Sequence, residues 1–277
     1  MISTIAISFS GGRTSAYMSN LLLTNKRYEA FKKVFVFANT GKEREETLDF
    51  VHKCDQHFRM NLTWVEANIN PEKGIGTTYR IVDYDTAGRN GEPFSAMNEK
   101  YGIPNKDFPH CTRELKQRPI AKFLDDTIGK GKYYTAIGLR IDEKIRLNRL
   151  SAEKNNYIYP LIDDFPTFEA QVRNFWDSMP FDLELKDYEG NCDLCWKKSR
   201  RKRLTLIAEN PGIEKQWAEW EEKDEYTFDR DGLAISKLVE MSSRPFRRAA
   251  DQHELRKQAP SLFESDMDVE QHCMCFI

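Results

Sequence analysis

The sequence predicts an α/β protein. A doubly wound, mostly parallel sheet is expected over residues 1–165, followed by a mainly helical C-terminal region over 166–277. Three observations lead there. Short apolar runs of strand length alternate with amphipathic stretches of helical period, the pattern of βα units on a parallel sheet. Two of these runs end in glycine turns that open the next segment, at Gly11-Gly12 and at Gly138. Beyond residue 165 the strand-like runs stop and helical periods remain.

Composition narrows the function classes. A chain of 277 residues with 40% hydrophobic content can bury a large core with an appended lobe. The net charge of −2 excludes a global basic field of the kind that gathers nucleic acid. No apolar run reaches membrane length. The opening Ile2–Phe9 reads as a strand and not as an export signal, so a cytoplasmic protein is expected.

The first strand is Ile5–Phe9, and Ala16–Leu23 carries apolar residues at helical spacing. Between them lies Ser10-Gly11-Gly12-Arg13-Thr14-Ser15. Adjacent glycines let a backbone approach a ligand closely, and a helix N-terminus with free N–H groups favours an anion. The turn reads as a phosphate cradle or as an ordinary capped βα turn. Lys33–Ala38 is the second strand, Asn39-Thr40-Gly41 a turn, and Glu45–Phe58 an amphipathic helix whose lone Cys54 is structural. Leu62–Glu66 is the third strand. Sheets of this type bind ligands beyond the carboxyl ends of their strands, so the two turns are expected to share a crevice.

Residues 67–109 show no strong period and are rich in Gly and Pro. They are expected to form a long loop, a lid or a binding segment in which Tyr79, Arg80 and Arg89 either meet an anion or decorate the surface. A helix should then run from near His110 to Asp126, with Arg113, Lys116 and Arg118 favouring the thiolate of Cys111. Tyr133–Ile137 is a strand that leads into Gly138 and the charged group Arg140, Asp142, Glu143 and Arg146, which otherwise reads as a surface salt-bridge cluster. Thr167 is the expected N-cap of a helix reaching Met179. Further helices are expected at Ser199–Glu209, Ile213–Glu222, Gly232–Met241 and Arg244–Gln258.

Several of these segments carry a family resemblance. Ser10–Ser15 resembles the Ser-Gly-Gly-x-x-Ser loop of the PP-loop family, the ATP pyrophosphatase-type enzymes that include adenylylsulfate and phosphoadenylylsulfate reductases. Thr14 stands where the usual loop has Asp. Asn39-Thr40-Gly41 followed by Glu46-Thr47 is similar to a second element of that family, and Pro160-Leu161-Ile162-Asp163 to another. Gly138, Arg140, Glu143 and Arg146 match its Gly-x-Arg-x-x-Glu-x-x-Arg segment. His110-Cys111 followed by Cys192-Asp193-Leu194-Cys195 resembles the Cys-Cys and Cys-x-x-Cys spacing of iron–sulfur adenylylsulfate reductases, with His110 in place of one cysteine.

The resemblance implies a phosphoadenylylsulfate-reductase-like enzyme. It implies that ATP or an adenylylsulfate nucleotide is held by Ser10, Gly11, Gly12, Arg13, Thr14, Ser15, Asn39, Thr40, Gly41, Gly138, Arg140 and Arg146, with magnesium as a companion of the phosphates. It also implies a [4Fe–4S] cluster on Cys111, Cys192 and Cys195, with one iron left for His110, a tail cysteine or an outside ligand. A structural zinc on the same set and a dithiol redox pair are the alternatives. Arg140, Cys273 and Cys275 are the candidate catalytic residues. The expected chemistry is adenylation-linked sulfur transfer from a sulfur donor. The alternatives are reduction of an adenylylsulfate by a thiol reductant, releasing sulfite, and a regulatory nucleotide-binding protein with a structural zinc. The basic run Lys197–Arg203 is a nucleic-acid phosphate contact, a solvated helix face or a contact to the phosphates of a small nucleotide.

Overall fold

The computed structural model describes residues 2–190 and 192–251. The candidate catalytic Cys273 and Cys275 lie outside the described residues.

The chain opens with β1 (Thr4–Phe9), α1 (Arg13–Thr24), β2 (Lys32–Asn39), α2 (Glu45–Phe58) and β3 (Thr63–Asn68). These strands pair in parallel, because each is reached through a helix that returns the chain to the same sheet end. β4 (Thr78–Val82) runs antiparallel to β3, with Val65 opposite Ile81. α3 (Glu92–Tyr101) follows, then α4 (His110–Thr112), a π-helical turn over 113–117 and α5 (Arg118–Thr127). β5 (Tyr134–Ala136) returns to the other edge of β1. α6 (Arg149–Asn155), β6 (Tyr157–Ile158), α7 (Pro160–Asp163) and α8 (Glu169–Asp177) complete the sheet region. The last helices are α9 (Arg200–Glu209), α10 (Lys215–Glu221) and α11 (Ile235–Ser242).

The six strands lie in the order β4-β3-β2-β1-β5-β6, and only β4 is antiparallel. The predicted mostly parallel, doubly wound sheet is therefore present. Alternate residues of β1 serve two cores. Ile5, Ile7 and Phe9 pack with Met18 and Leu22 of α1, Leu48, Val51 and Cys54 of α2, and Trp176 of α8. Ala6 packs on the opposite face with Val36, Val65 and Ile120, Phe123 and Leu124 of α5. A further core joins α3 to the C-terminal helices, where Phe94 stacks on Trp220 at 5.2 Å and Trp217 meets Phe228 edge-on at 4.7 Å. Cys192 and Cys195 belong to this third core.

Residues 67–109 correct the expectation of one long loop. β4 is an edge strand with Ile81 64% exposed, so it lacks the apolar run of a central strand. α3 buries only Pro93, Phe94 and Met97, and Gly91 and Gly102 bound it at φ +78° and +77°. Two of the glycines that suggested a loop, Gly91 and Gly102, are the ends of a helix. α8 begins at Glu169 rather than after a Thr167 cap. The Thr167 hydroxyl turns back to the Phe165 carbonyl, and the Phe168 N–H donates to Gln171 Oε1 at 2.7 Å. The described part of the expected 244–258 helix is not helical.

Candidate functional site

The sheet order changes direction at β1, since β2 and β3 lie on one side and β5 on the other. The turns after β1 and β5 therefore flank the switch-point crevice. Gly11 has φ +77°, and a Cβ there would stand 2.8 Å from Thr47 Cγ2, so only glycine fits. Ser15 Oγ closes the turn, accepting from the Ser10 N–H at 3.1 Å and donating to the Gly12 carbonyl at 2.9 Å. Gly12 is the N-cap residue before α1 and makes no side-chain cap, and no acidic residue occupies the first turn. The leading N–H groups of α1 thus meet no side-chain cap and retain their anion preference.

The second glycine segment closes over this turn. A Cβ at Gly138 would lie 3.5 Å from Ser15 Cα, and Arg140 Nη1 donates to Thr14 Oγ1 at 2.9 Å. Arg140 also pairs with Asp142 at 2.7 Å, while Glu143 lies at 3.6 Å and itself pairs with Arg146. Burial works against the Arg140 charge, but Asp142 and Glu143 outweigh it and hold the guanidinium above its ordinary value. Arg13 is committed elsewhere. It forms two hydrogen bonds to Asp182, at 2.7 and 2.9 Å, and its carbonyl accepts from Trp176 Nε1. Its side chain is a tether to the segment after α8, and its contribution to the turn is backbone.

Asn39, Thr40 and Gly41 form the adjoining turn at the end of β2. Asn39 is fully buried; its amide donates to Glu66 Oε1 at 2.6 Å and to the Gly88 carbonyl, and its Oδ1 receives the Gly41 N–H. Asn39 therefore shapes the turn. Gly41 and Gly91 both have positive φ and touch: the Gly91 N–H donates to the Gly41 carbonyl at 2.9 Å, and a Cβ at 41 would sit 3.1 Å from Gly91 Cα. The Thr40 N–H and hydroxyl both donate to Glu43 Oε2, at 2.8 and 2.7 Å.

Thr40 also joins the turn to the cysteines. One cavity is lined by Cys111, Cys192 and Cys195 together with Thr40, Lys116 and Trp196. Thr40 Oγ1 lies 3.6 Å from Cys192 Sγ. The Cys192–Cys195 loop is pinned by Asp193, whose N–H donates to the Lys42 carbonyl. The Asp193 carboxylate pairs with Lys42 at 3.0 Å and accepts from Trp217 Nε1 at 2.8 Å. The π-helical turn presents Leu115 and Lys116 to the same cavity, and the Lys116 ammonium stands 3.5 Å from Glu43. The described cysteines are all free thiols.

The electrostatics correct one expectation. Neighbouring cations do not bring the Cys111 and Cys192 thiols below their ordinary value. Burial pushes the Cys111 thiol up, and Cys195 adds to this against Lys197 and Lys116. Burial, then Glu43, raises Cys192 against Lys116. His110 does not line the cavity; its Nε2 faces the Gly102 carbonyl at 2.9 Å. Among the described residues no three His, Cys, Asp or Glu groups stand in preformed metal-holding geometry. Several members of the basic run have partners within the chain. Lys197 reaches Thr112, Lys198 the carbonyls of Glu189 and Gly190, Arg200 pairs with Asp231, and Arg203 is wholly buried against Asp229. The charges of Lys198 and Arg203 are used inside the fold, and nucleic acid is not supported as a partner. Sequence reasoning missed Glu43, Asp182 and Asp193, because acids in loops carry no local signal of the partners they reach.

Comparison with known proteins bears on this arrangement. The sequence profile of the phosphoadenosine phosphosulfate reductase domain matches residues 4–177. An uncharacterized nin region protein of Escherichia phage lambda is 36% identical over 218 residues, covering 77% of this chain and 72% of the phage protein. Two uncharacterized proteins of Methanocaldococcus jannaschii are 28% identical over 173 residues and 25% identical over 225. The chain spans only 34% and 40% of their lengths. With the matched profile covering the whole sheet region and both glycine turns, the chain belongs to the phosphoadenosine phosphosulfate reductase domain family.

Proposed function

We propose that the chain is an ATP-dependent sulfurtransferase that binds its nucleotide across the β1 and β5 turns and works on sulfur at the cysteine cavity. The family is one of nucleotide-related sulfur chemistry. The observation that carries the finer reading is Thr40: it stands in the turn beside the nucleotide crevice and lines the three-cysteine cavity. A phosphate activated in the crevice and a sulfur held in the cavity are then neighbours.

The Ser10–Ser15 turn offers backbone N–H groups to the nucleotide phosphates, and Arg140 compensates the charge that develops as pyrophosphate leaves. An acceptor oxygen attacks the α-phosphorus, which converts that oxygen into the leaving group AMP. A sulfur nucleophile from the donor then forms the new C–S or equivalent bond as AMP departs. Magnesium accompanies the phosphates in this reading.

Three free thiols that line one cavity, two of them buried, fit the donor set of an iron–sulfur cluster. Cys111, Cys192 and Cys195 would hold a [4Fe–4S] cluster, which supplies sulfur-binding and redox chemistry when bound. The position of His110 leaves the fourth iron to another ligand. Zinc on the same thiols is the competing occupant.

The test uses anaerobically purified protein. ATP with magnesium and sulfide should raise its melting temperature, and ATP–pyrophosphate exchange should require Arg140. Adenylylsulfate with a dithiol should yield no sulfite. Sulfite release with no response to ATP would replace this reading with a reductase, the activity for which the family profile is named.

A further inference from the structure

Trp196 follows Cys195 directly and is 8% exposed. It lines the same cavity as Cys111, Cys192, Cys195 and Lys116. Its place on that wall is fixed from outside. Lys197 lies over the indole ring at 5.4 Å and donates to Thr112 Oγ1 at 3.1 Å, and Thr112 belongs to the same lining. The indole Nε1 is buried and makes no hydrogen bond among the described residues. Its N–H faces Cys111: burial raises that thiol, and the indole works against the rise. A protonated thiol is a weak acceptor, so this approach leaves the donor unmet.

An orphaned indole is not the habit of this protein. Trp176 Nε1 donates to the Arg13 carbonyl at 3.0 Å, and Trp217 Nε1 to Asp193 at 2.8 Å. An indole N–H can only donate, and leaving it unpaired in the interior costs free energy that an acceptor in the cavity would recover. Lys116 brings positive charge to the same cavity, its ammonium 3.5 Å from Glu43. The Thr40 hydroxyl and the Trp217 N–H, also on the lining, are engaged on Glu43 and Asp193. Phe94, Leu115 and the Trp217 ring supply apolar wall. An oxyanion such as sulfite or sulfate brings several oxygens, and most of them would be buried against carbon without a partner. Hydrosulfide carries its charge on one large, polarizable sulfur, for which the indole and the ammonium suffice.

We propose that Trp196 is a specificity-determining residue of the sulfur site: its indole N–H, together with the Lys116 ammonium, binds one hydrosulfide anion in the three-cysteine cavity. This rests on the reading of the cavity as the place where sulfur is held, and it names the chemical form in which the sulfur arrives. The two donors belong to the protein and not to a metal, so the metal-free chain is where they are read.

The experiment uses the full chain, isotope-labelled at the indole nitrogens of its five tryptophans, purified anaerobically and freed of metal by a chelator. Trp196→Phe keeps an aromatic wall without the donor, and it identifies the Trp196 N–H resonance by removing it. Sodium hydrosulfide at mildly alkaline pH should move that resonance downfield, saturably and further than the other four. Sodium sulfite and sodium sulfate should leave it in place. Calorimetry should show hydrosulfide binding weakened at least about tenfold in Trp196→Phe. Lys116→Met should weaken it as well, and it serves if Trp196→Phe does not fold. If chelation unfolds the chain, the same calorimetry on the protein as purified compares wild type with the variants. An unmoved Trp196 resonance, equal hydrosulfide affinity in wild type and variants, or a preference for sulfite would overturn the proposal. Pyrophosphate exchange in the same preparation scores the sulfurtransferase reading separately. Exchange without hydrosulfide binding removes only this inference, whereas hydrosulfide binding without exchange keeps the site and removes the sulfurtransferase.

Discussion

Gly11 shows how one residue joins fold and site. Its positive φ makes the turn, and its missing side chain lets Thr47 of α2 approach. Gly11→Ala combines backbone strain with an overpacked contact, about 2–4 kcal/mol together. Urea denaturation should show that loss, and nucleotide affinity should fall with it. Asp142 gives a pH-dependent counterpart. Burial raises its carboxyl, but the hydrogen bond and charge of Arg140 prevail and hold it below the ordinary aspartate value. Its stabilisation is therefore complete above the unfolded-state pKa and disappears as pH falls through the lowered folded value. Asp142→Asn should flatten the acid limb of a stability–pH curve below about pH 4 and leave the neutral region less stable at a constant offset. At this scale the glycine turns after β1 and β5 were legible, because Gly11, Thr14, Gly138 and Arg140 lie in short motifs whose geometry is local. The partner of Arg13 was not legible, since only the folded chain brings Asp182 to it.

Among the elements, the central strands announced themselves through apolar runs, and α2 through its amphipathic period. β4 and α3 did not, for a shared physical reason. An edge strand and a ten-residue helix each bury few side chains, so their patterns are faint against the Gly and Pro that delimit them. The Cys-x-x-Cys spacing of 192 and 195 was legible, but not the clamp that holds the loop. Asp193 binds both Lys42 and Trp217, and Lys42 lies over the Trp217 and Trp220 rings. Asp193→Ala leaves a buried ammonium without its counter-ion, at a cost on the order of 3 kcal/mol. The expected outcome is a lower melting temperature together with loss of bound metal. A variant that keeps its full metal content would show that the loop is placed without this clamp.

Across the whole molecule, the first core carries the Ser10–Ser15 turn and the third carries Cys192 and Cys195. The segment from Asn39 to Glu43 runs between them. Occupancy of the crevice should therefore register at the thiols. In metal-free protein, saturating ATP should slow alkylation of Cys192 and Cys195, and Arg140→Ala should abolish that protection. An unchanged alkylation rate with bound nucleotide would mean that the two compartments are independent. Among the described residues no helix is long and apolar enough to cross a membrane. The three-layer order was readable in advance because strand and helix periods differ. The meeting of Cys111 with Cys192 and Cys195 was only implied by a family likeness, since a contact between distant segments has no period of its own.

The touch between Gly41 and Gly91 sets a constraint of another kind. Neither position accepts a side chain while the other backbone stays in place, and each also needs its own left-handed backbone. The two sites therefore form a keyhole in sequence space, far apart along the chain yet closed to single steps from either side. A lineage that widens the space between the nucleotide turn and α3 must move the loop before it changes the letters. That joint would then evolve by insertion and deletion more readily than by substitution.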